Sequence, residues 1–556
     1  MKIPFIGGFY EDRSKNLNAQ RCVNLYPVQS SESGKGDMAL YPTPGSFLEI
    51  ASNDANASYG FNGPLITDSI SLMTVAHQDI ATASQANYYF RQVRTNTISN
   101  TLVVTDYGSA NGVYLYSLTN GSPGTDTLGN IFNWDLTQST DDAVVLITPL
   151  NRNNEAIRAN FAYVFNKGAP TTNGLAHWEN SSIGYPTSIA YMDGYFIIND
   201  NLGYLSGLNK GKFFVSNIAP TYDTIWWSET SFASFYYRSD NLLKLITSSG
   251  YLYLFGKNHY EVWYNSGDPT FPFAPIREAT QEIGLAHAQS IVKFGNLIAF
   301  IGQKENSGWG VYLINGLEIK KISTPAIDKK IKDYLFKVNN FFNITDLKNY
   351  YNKSKNGSYA YEEEGHAFIS FTLGDEIQIV YDLTTNLWHE RSTIYGITDR
   401  NGISYSGKNY VINNFGDLLS TNADSSMFFI RWHPSTMGNI IMERYRISPH
   451  MSGEDNYLFH KRVRADIEFP TNISYDSNAN FYPYIELSHS DDDAKTWKSD
   501  GVKNFSNIAY GNISGDKRVE WFRLGRSDDR LYKVWTNANI PFYLSGLVAD
   551  VDKGYR

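Results

Sequence analysis

Four side chains in the C-terminal part of the chain have residue types and a spacing that occur in glycan-cleaving enzymes. The pattern S-x-D-x-G-x-T-W, the Asp-box hairpin of sialidase-type propellers, is matched by Ser490, Asp492, Thr496 and Trp497, with Ala494 in place of the glycine. In such a hairpin the serine and aspartate side chains cap the turn backbone, and the tryptophan packs beneath it. We therefore interpret these residues as a structural hairpin brace.

A sialidase-like glycosidase needs more than this hairpin. It requires a cluster of arginines for the substrate carboxylate, and a tyrosine nucleophile with an acidic partner. Many Tyr, Glu and Arg residues are present, but no spacing in the sequence singles out such a set. The sequence therefore predicts no catalytic residues for glycan cleavage.

The other reactive side chains have structural explanations. The carboxylates at 362–364 lie at a predicted hairpin turn, where a solvated charge run is expected. The segment 402–407 resembles a nucleophile elbow with one residue too many, and 207–213 resembles a phosphate loop with one residue too few. The ten histidines lack metal-ligand spacing. The basic run at 460–464 is interpreted as a solvated sheet face, with DNA or an acidic partner as the alternative. We predict no enzyme activity and no cofactor-binding or metal-binding residues.

The composition is typical of a folded, strand-rich protein. Of 556 residues, 42% are hydrophobic, 19% charged and 15% aromatic, and aromatic side chains favour sheets. The single cysteine, Cys22, cannot form an internal disulfide, which fits folding in a reducing cytosol. No signal peptide and no transmembrane helix are predicted. The net charge of −9 argues against a protein that binds nucleic acid over its whole surface.

Short apolar runs that turn on glycine indicate antiparallel hairpins. The predicted turns are Asp193–Gly194, Gly250, Gly295–Asn296, Gly365 and Gly407. They recur at uneven intervals, whereas propeller blades of four strands repeat at about 40–50 residues and lengthen with insertions. We predict an all-β fold that contains a β-propeller. A stack of β-sandwiches is the alternative that would give similar hairpins.

Three units are predicted along the chain. Residues 1–50 form an irregular N-terminal arm, because prolines and polar residues interrupt it too often for a long helix or strand. Residues 51–430 form a β-propeller-like hub domain, and residues 431–556 form a C-terminal β-sandwich-like domain. One amphipathic helix is expected behind Thr324 as N-cap and Pro325 as first helical residue, packed on a blade or facing a neighbouring subunit. Its apolar face consists of Ile327, Ile331, Tyr334, Leu335 and Val338.

Several stretches, in a shared order along the chain, carry a resemblance to a known family. They are IPFIGGFYEDRSKNLNAQRCVNLYPVQ at 3–29, ALYPTPG at 39–45, LYLFGKNHYEVWYNSGDPTFPFAPI at 252–276, GLAHAQSIVKFGNLIAFIG at 284–302, VYLINGLEIKKISTPAID at 311–328, IVYDLTTNLWHERS at 379–392, ELSHSDDDAKTW at 486–497 and VEWFRLGRSDDRLYKV at 519–534. With these stretches the chain resembles the packaged-DNA stabilisation proteins of short-tailed bacteriophages, the tail-hub family. Residues 51–180 are the least recognisable part, and Ala494 departs from the family's usual glycine.

The resemblance implies a non-enzymatic role in the virion tail, assembled in the cytoplasm of the bacterial host. Proteins of this family form a ring, hexameric in the family, below the portal and its adaptor, and they close the channel after DNA packaging. They also attach the tail needle or nozzle and the tailspikes or fibres. The implied partners are these proteins, further copies of the chain, and packaged DNA that passes through the lumen without sequence specificity. No cofactor and no membrane are implied.

The N-terminal arm is the predicted assembly element. A segment rich in proline and polar residues is suited to become ordered on a partner. We therefore expect residues 1–50 to clamp onto a neighbouring subunit or the adaptor. The candidate contact residues in this arm are Asn18, Gln20, Arg21, Asn24, Tyr26 and Pro27.

Two other functions remain open. A receptor-binding or glycan-binding propeller at the tail tip would account for the many Tyr and Trp residues, since aromatic side chains stack on sugars. A glycosidase of sialidase-like architecture would be recognised by turnover of glycan substrates. Position within the particle separates the first of these from a hub, because a hub lies against the portal.

Overall fold

In the computed structural model, the residues that the structure describes lie mostly in β-strands. The structure describes residues 2–3, 5–29, 38–43, 46–50, 59–60, 65–67, 70–82, 85–96, 101–107, 135–138, 143–147, 162–166, 175–178, 188–200, 211–219, 225–286, 290–305, 308–338, 357–373, 377–391, 409–412, 418–421, 427–430, 443–453, 456–473, 484–504, 513–537 and 541–554. The prediction of an all-β fold is confirmed.

The strands fall into three groups along the chain. Those of the N-terminal segment are β1 (Lys2–Ile3), β2 (Tyr10–Glu11), β3 (Ala19–Gln20), β4 (Cys22–Val23), β5 (Leu25–Gln29) and β6 (Met38–Pro42). Those of the central part begin with β7 (Ser46–Ile50), β8 (Tyr59–Gly60), β9 (Leu65–Thr67), β10 (Ile70–Thr82), β11 (Gln85–Asn96), β12 (Thr101–Tyr107), β13 (Asp135–Gln138), β14 (Ala143–Ile147), β15 (Ala162–Asn166) and β16 (Leu175–Trp178). They continue with β17 (Ile189–Met192), β18 (Tyr195–Asp200), β19 (Lys212–Ser216), β20 (Trp227–Ser234), β21 (Leu242–Ser248), β22 (Tyr251–Gly256), β23 (Tyr260–Asn265) and β24 (Phe273–Gln281).

The central part then includes a helix, and the C-terminal strands follow it. The remaining central elements are β25 (Gly284–Leu285), β26 (Ile291–Phe294), β27 (Leu297–Lys304), β28 (Gly308–Asn315), β29 (Glu318–Lys321), α1 (Pro325–Val338), β30 (Gly357–Glu363), β31 (His366–Leu373), β32 (Ile377–Asp382), β33 (Leu387–Arg391), β34 (Asn409–Ile412), β35 (Leu418–Thr421) and β36 (Met427–Ile430). The C-terminal strands are β37 (Arg444–Ile447), β38 (Met451–Ser452), β39 (Tyr457–Ile473), β40 (Tyr484–Ser490), β41 (Lys498–Asn504), β42 (Ile513–Phe522), β43 (Arg526–Ser527), β44 (Asp529–Thr536) and β45 (Tyr543–Gly554).

The central strands form consecutive antiparallel sheets, each made of strands that follow one another in the sequence. These groups are β8–β12, β13–β16, β17–β20, β21–β24, β25–β29 and β30–β33, followed by β34–β36 with β7 as the fourth strand. First strands of neighbouring sheets contact each other, as β13 contacts β17, β17 contacts β21 and β30 contacts β34. This is how propeller blades are arranged around an axis. The pairing of β7 with β36 brings both ends of the central part into one sheet.

The predicted hairpins form where glycine was expected to turn the chain. Asp193 and Gly194 both have positive φ, 49° and 87°, and the same holds for Ser249–Gly250 and Glu364–Gly365. Two central residues with positive φ define a type I′ turn, whose twist suits antiparallel strands. The hairpin at Gly295 also forms, since Phe294 pairs with Leu297. The predicted turn at Gly407 lies outside the described residues.

The predicted helix is confirmed, and it packs on a blade. The Thr324 hydroxyl accepts a hydrogen bond from the Ile327 amide at 3.4 Å, and Pro325 is the first helical residue. Ile327, Ile331 and Leu335 are buried in a core shared with β28 and β31. The side chain of Val338 lies outside the described residues. Among the described helical residues, none belongs to a helix long and apolar enough to cross a bilayer.

The C-terminal strands form two sheets that face each other across one core. One sheet has the order β42-β39-β45-β6-β5, and the other contains β4-β37-β44-β40-β41. Val463 and Leu547 of the first sheet meet Ile485 and Tyr532 of the second in the same buried cluster. The N-terminal segment contributes β4, β5 and β6 to these sheets. The proposed boundaries at residues 50 and 430 stay a prediction.

One sheet continues from the central part into the C-terminal part. Strand β4 pairs in parallel with β33 at Val23 and Glu390, and in antiparallel fashion with β37 at Val23 and Tyr445. The sheet therefore runs without interruption from β30 to β41 through a two-residue strand of the N-terminal segment.

Candidate interaction site

The six predicted arm residues lie in one seam between the central and C-terminal parts. We call this seam the N-terminal junction, meaning residues 18–27 together with the faces of β33, β37 and α1 that they contact. The structure brings together Asn18, Gln20, Arg21, Asn24, Tyr26 and Pro27 within it. Their described contacts are made within this chain.

An ion network around the buried carboxylate of Glu390 forms the centre of the junction. Arg21 donates two hydrogen bonds to Glu390, from Nε to Oε2 at 2.8 Å and from Nη2 to Oε1 at 3.1 Å. Lys330 of α1 also pairs with Glu390 Oε1. Burial would raise the pKa of Glu390, but the charges of Arg21 and Lys330 lower it to about 2. One carboxylate therefore ties the N-terminal segment, a blade strand and the helix together.

Two fully buried arginines on β37 hold the N-terminal backbone. Arg446 donates to the carbonyl oxygens of Phe5 at 2.8 Å and Gly8 at 2.7 Å, and also to Gln20 Oε1. Arg444 donates to the Thr43 carbonyl oxygen at 2.8 Å. Burial lowers the pKa of Arg444 to about 9 and lowers that of Arg446 as well. Apart from the Gln20 side chain, the acceptors named here are backbone carbonyls, so the two arginines hold the backbone path of the segment.

Asn24 makes the bend between β4 and β5. Its φ is 53°, in the left-handed region that asparagine tolerates better than most residues. Its amide Nδ2 donates to the Glu443 carbonyl at 2.7 Å, and its backbone N–H donates to the Glu390 carbonyl at 2.8 Å. The side chain and the backbone N–H of Asn24 therefore hold the bend between Glu443, which precedes β37, and Glu390 of β33.

Tyr26 fills the blade side of the junction. Its ring is buried against Phe368, His366 and His389, with centroid distances of 5.1, 5.2 and 6.1 Å. Its hydroxyl donates to Glu364 Oε2 at 3.2 Å, and burial raises the pKa of the phenol. Pro27 lies in the middle of β5 and pairs with Leu40 of β6.

Sequence reasoning missed Glu390, Lys330, Arg444 and Arg446 as members of this site. The two arginines stand two residues apart on a strand, so their side chains share one face. An alternation of arginines with apolar residues in RYRI was a signal for one charged, inward face. Nothing local connects Glu390 to Arg21, because 369 residues separate them.

The hairpin at Ser490–Trp497 is held by its own side chains. Asp492 Oδ1 accepts from the Thr496 backbone N–H at 2.8 Å, and Asp492 Oδ2 accepts from the Thr496 hydroxyl at 2.6 Å. Ser490 Oγ accepts from the Ala494 N–H at 3.0 Å. The hydrogen bonds from Thr496 hold the pKa of Asp492 well below its usual range. Trp497 packs against a buried cluster that includes Val23 and Tyr445. The hairpin therefore contacts the strands β4 and β37 that form the N-terminal junction.

Replacing Ala494 with glycine should stabilise the protein. Ala494 has a φ of 62°, a conformation that costs an L-residue roughly 1 kcal/mol and costs glycine nothing sterically. We expect the free energy of unfolding to rise by about 0.5 kcal/mol after the added chain entropy of glycine. Urea denaturation measures this change. The matched control Ala233→Gly lies in β20, where glycine should destabilise; equal effects of both variants would contradict the prediction.

The other reactive groups named in the sequence are described in part. Glu362 and Glu364 are exposed, as a solvated charge run predicts, but Glu363 is half-buried and burial raises its pKa to about 7. Of the basic run at 460–464, Arg462 pairs with Glu520 and Asp550, which fits a solvated sheet face. Residues 207–210 and 402–407 lie outside the described residues.

One cluster among the described residues has the geometry to hold a cation. Single ligand atoms of His450, Asp493 and Asp529 lie within 4.8 Å of one another. Both ring nitrogens of His450 already have partners, Asp529 Oδ2 and the Lys15 carbonyl oxygen at 2.7 Å. The arrangement therefore acts as another link between the N-terminal segment and β44.

Comparison with known proteins identifies the family that the central part resembles. Residues 134–342 match the profile of a family described as Bacteriophage P22 Gp10, beta-propeller. The resemblance to the phage stabilisation family is confirmed. The matched residues contain the sheets β13–β16, β17–β20, β21–β24 and β25–β29 together with α1, so the Gp10 profile covers four consecutive sheets and the helix.

Two further comparisons add no functional information. An exo-beta-1,3-galactanase from Phanerochaete chrysosporium, solved with galactose, covers 78% of this chain and 98% of its own at 8% identity. Its TM-score of 0.28 carries no argument about fold or activity. No curated protein matches the chain.

Proposed function

We propose that this chain is a structural protein of a phage tail that forms a ring below the portal-adaptor complex and keeps packaged DNA in the capsid. The observation that carries the proposal is the match of residues 134–342 to the propeller of a phage protein, P22 Gp10. The same match supports a virion component without enzymatic activity. In this role the ring also offers attachment for needle, nozzle, tailspike or fibre proteins.

The construction of the junction suits a part that must resist load. Packaged DNA exerts an outward pressure. A protein that closes the channel therefore needs strong contacts between its central and C-terminal parts. Arg21 and Lys330 pair with the buried Glu390 and so connect three elements, and a continuous sheet crosses from the central to the C-terminal part. The net charge of −9 fits a lumen that DNA passes without adhering.

The N-terminal segment is proposed to contact neighbours through its exposed turn. Most described residues of 5–29 are buried or half-buried against this chain, but residues 13–17 are exposed and Leu17 has 72% of its surface accessible. An exposed leucine on a turn held at both ends is suited to insert into an adjacent subunit or the adaptor. The segment proposed to contact a neighbouring subunit or the adaptor is therefore residues 13–17, a smaller part of the predicted arm at 1–50.

Cryo-electron microscopy of tails released from purified virions tests the role directly. Density for this chain in a ring directly beneath the adaptor supports the hub, and would show whether residues 13–17 touch the next subunit. Density confined to the distal tip, or absent from the particle, contradicts it.

A receptor-binding or glycan-binding propeller is the second candidate, and exposed aromatic side chains favour it. Trp226, Tyr236 and Tyr237 have 52%, 51% and 54% of their surfaces accessible. Aromatic rings with a free face stack on sugars. Glycan binding that is lost in Trp226→Ala, together with a position at the tail tip, would favour this function over the hub.

A further inference from the structure

An open groove lies at one end of the seven-stranded C-terminal sheet, away from the N-terminal junction. Its volume is about 1390 Å³, and it is formed where the ends of β39, β42 and β45 meet the turn before β43. Two phenylalanines line it, Phe459 and Phe522, with 43% and 59% of their surfaces accessible. Large apolar side chains in an open groove, flanked by charges, are a common feature of protein-binding sites.

The groove is positively charged in a protein that is negative as a whole. Lys461, Arg523, Arg526 and Lys553 line it, and the acidic residue among the lining side chains, Asp552, is paired with Lys461. The chain as a whole has a net charge of −9. A local excess of positive charge against that background attracts acidic groups to this one place.

The cations differ in how firmly they are held. The Arg526 guanidinium lies 4.4 Å from the centre of the Tyr457 ring, a cation–π contact that positions it. The side chains of Arg523 and Lys553 make no ion pair or hydrogen bond within the part of the chain that the structure describes. These two charges are therefore available to an incoming carboxylate without displacing a partner.

The floor of the groove contains a buried, neutral histidine with both ring nitrogens hydrogen-bonded. His460 is buried there, with Nε2 bonded to Ser527 Oγ at 2.8 Å and Nδ1 bonded to the Tyr532 hydroxyl at 2.7 Å. Burial and the nearby Arg530 lower the pKa of His460 to about 4, so the ring is neutral at physiological pH. The Phe459 ring lies directly over Gly554, where an added Cβ would meet it at 2.3 Å. One side of the phenylalanine ring therefore packs against the backbone at Gly554.

We propose that this groove binds a short acidic polypeptide segment of a partner protein, with one bulky apolar side chain seated between Phe459 and Phe522. Carboxylates of the segment pair with Arg523 and Lys553 on the rim. A long polyanion such as single-stranded DNA fits less well, because it would extend past the groove along a protein whose net charge is −9. This inference does not depend on where the chain lies in a virion.

A defined peptide probes the proposal with the full-length chain. The probe is a fluorescein-labelled octapeptide of Asp and Glu with one central Phe, measured by fluorescence anisotropy at low ionic strength, where exposed charge pairs are least screened. We expect Arg523→Ser with Lys553→Ser to weaken binding about tenfold. The control pair Lys498→Ser with Lys503→Ser removes the same charge from exposed positions on β41 and should leave affinity within about twofold.

The apolar part of the site has its own pair of variants. Phe522→Ser should weaken binding about tenfold, whereas Val502→Ser, an equally exposed apolar residue on β41, should not. Replacing the peptide's Phe with Ala should reproduce the effect of Phe522→Ser.

Four results would overturn the proposal. They are no binding of the peptide, equal losses in the groove and control variants, equal affinity of the Ala peptide, and tighter binding of an oligothymidylate of the same charge. Light scattering of the protein alone adds one more check. If Arg523→Ser with Lys553→Ser dissociated an oligomer, the groove would belong to a second copy of this chain.

Discussion

Replacing Glu390 with glutamine will lower the free energy of unfolding by about 3 kcal/mol, the lower end of the usual cost of removing one member of a buried ion pair, because its partners keep some contact with water. Glu390 is 5% exposed, and without its charge the half-buried side chains of Arg21 and Lys330 both lose their carboxylate. Urea denaturation at pH 7 measures the change. The exposed Glu318, changed in the same way, should alter stability by less than about 0.5 kcal/mol.

The pH dependence of the stability difference between the protein and its Glu390→Gln variant shows whether the carboxylate charge or the packing of the side chain causes that difference. Because the folded-state pKa of Glu390 is about 2, below its ordinary 4.5, its stabilising charge is fully present above pH 4.5. The contribution is lost as pH falls from 4.5 towards 2. The destabilisation by Glu390→Gln should therefore shrink over that interval. A difference that stays constant down to pH 2 would show that the carboxylate charge is not its source.

Replacing Arg446 with methionine will destabilise the protein by about 3–4 kcal/mol and release the start of the N-terminal segment. Methionine fills much of the volume but donates no hydrogen bonds, so the Phe5 and Gly8 carbonyls lose their buried donor. Phe9 is 3% exposed in the intact protein, and chymotrypsin should cleave after it in the variant. Mass spectrometry of the fragments gives the site.

The control for this variant is Arg518→Met. Arg518 is an exposed arginine of β42 that pairs with Asp466 at 3.2 Å, so its removal should cost less than about 1 kcal/mol and leave Phe9 protected. If Arg446→Met remained resistant at Phe9, the buried arginine would not be what holds the segment.

The local parts of this fold could be predicted from the sequence, and the long-range parts could not. Turns such as Asp193–Gly194 need residues that accept positive φ, and that requirement is visible in the residues themselves. The cap of α1 at Thr324 is likewise a local signal. The pairing of β4 with β33 and β37 depends on residues hundreds of positions away, and a two-residue strand leaves no periodic pattern.

The same contrast applies to the candidate site. The arm residues were expected to contact a neighbouring subunit or the adaptor because the segment is rich in proline and polar residues, and the sequence did not show which residues of this chain they contact. From the sequence alone Arg21 is expected to be an ordinary surface charge. The structure shows that it pairs with Glu390, which also pairs with Lys330. A proline-rich segment also predicted an irregular arm, whereas β5 pairs with β6 through Pro27, which offers its carbonyl but no N–H.

The position of the N-terminal strands has a consequence for the order in which the protein can fold on the ribosome. Lys2 pairs with Val548, so β1 leaves the ribosome long before its partner has been synthesised. At about 5–20 residues per second, the interval for roughly 500 residues is about half a minute to two minutes. During that time Phe5, Leu25 and Leu40 lack the core that later buries them. The central sheets can form while the chain is still growing, whereas the C-terminal sandwich can close only at the end. A prematurely terminated chain would expose this segment to proteases, so that only completed copies would persist for assembly.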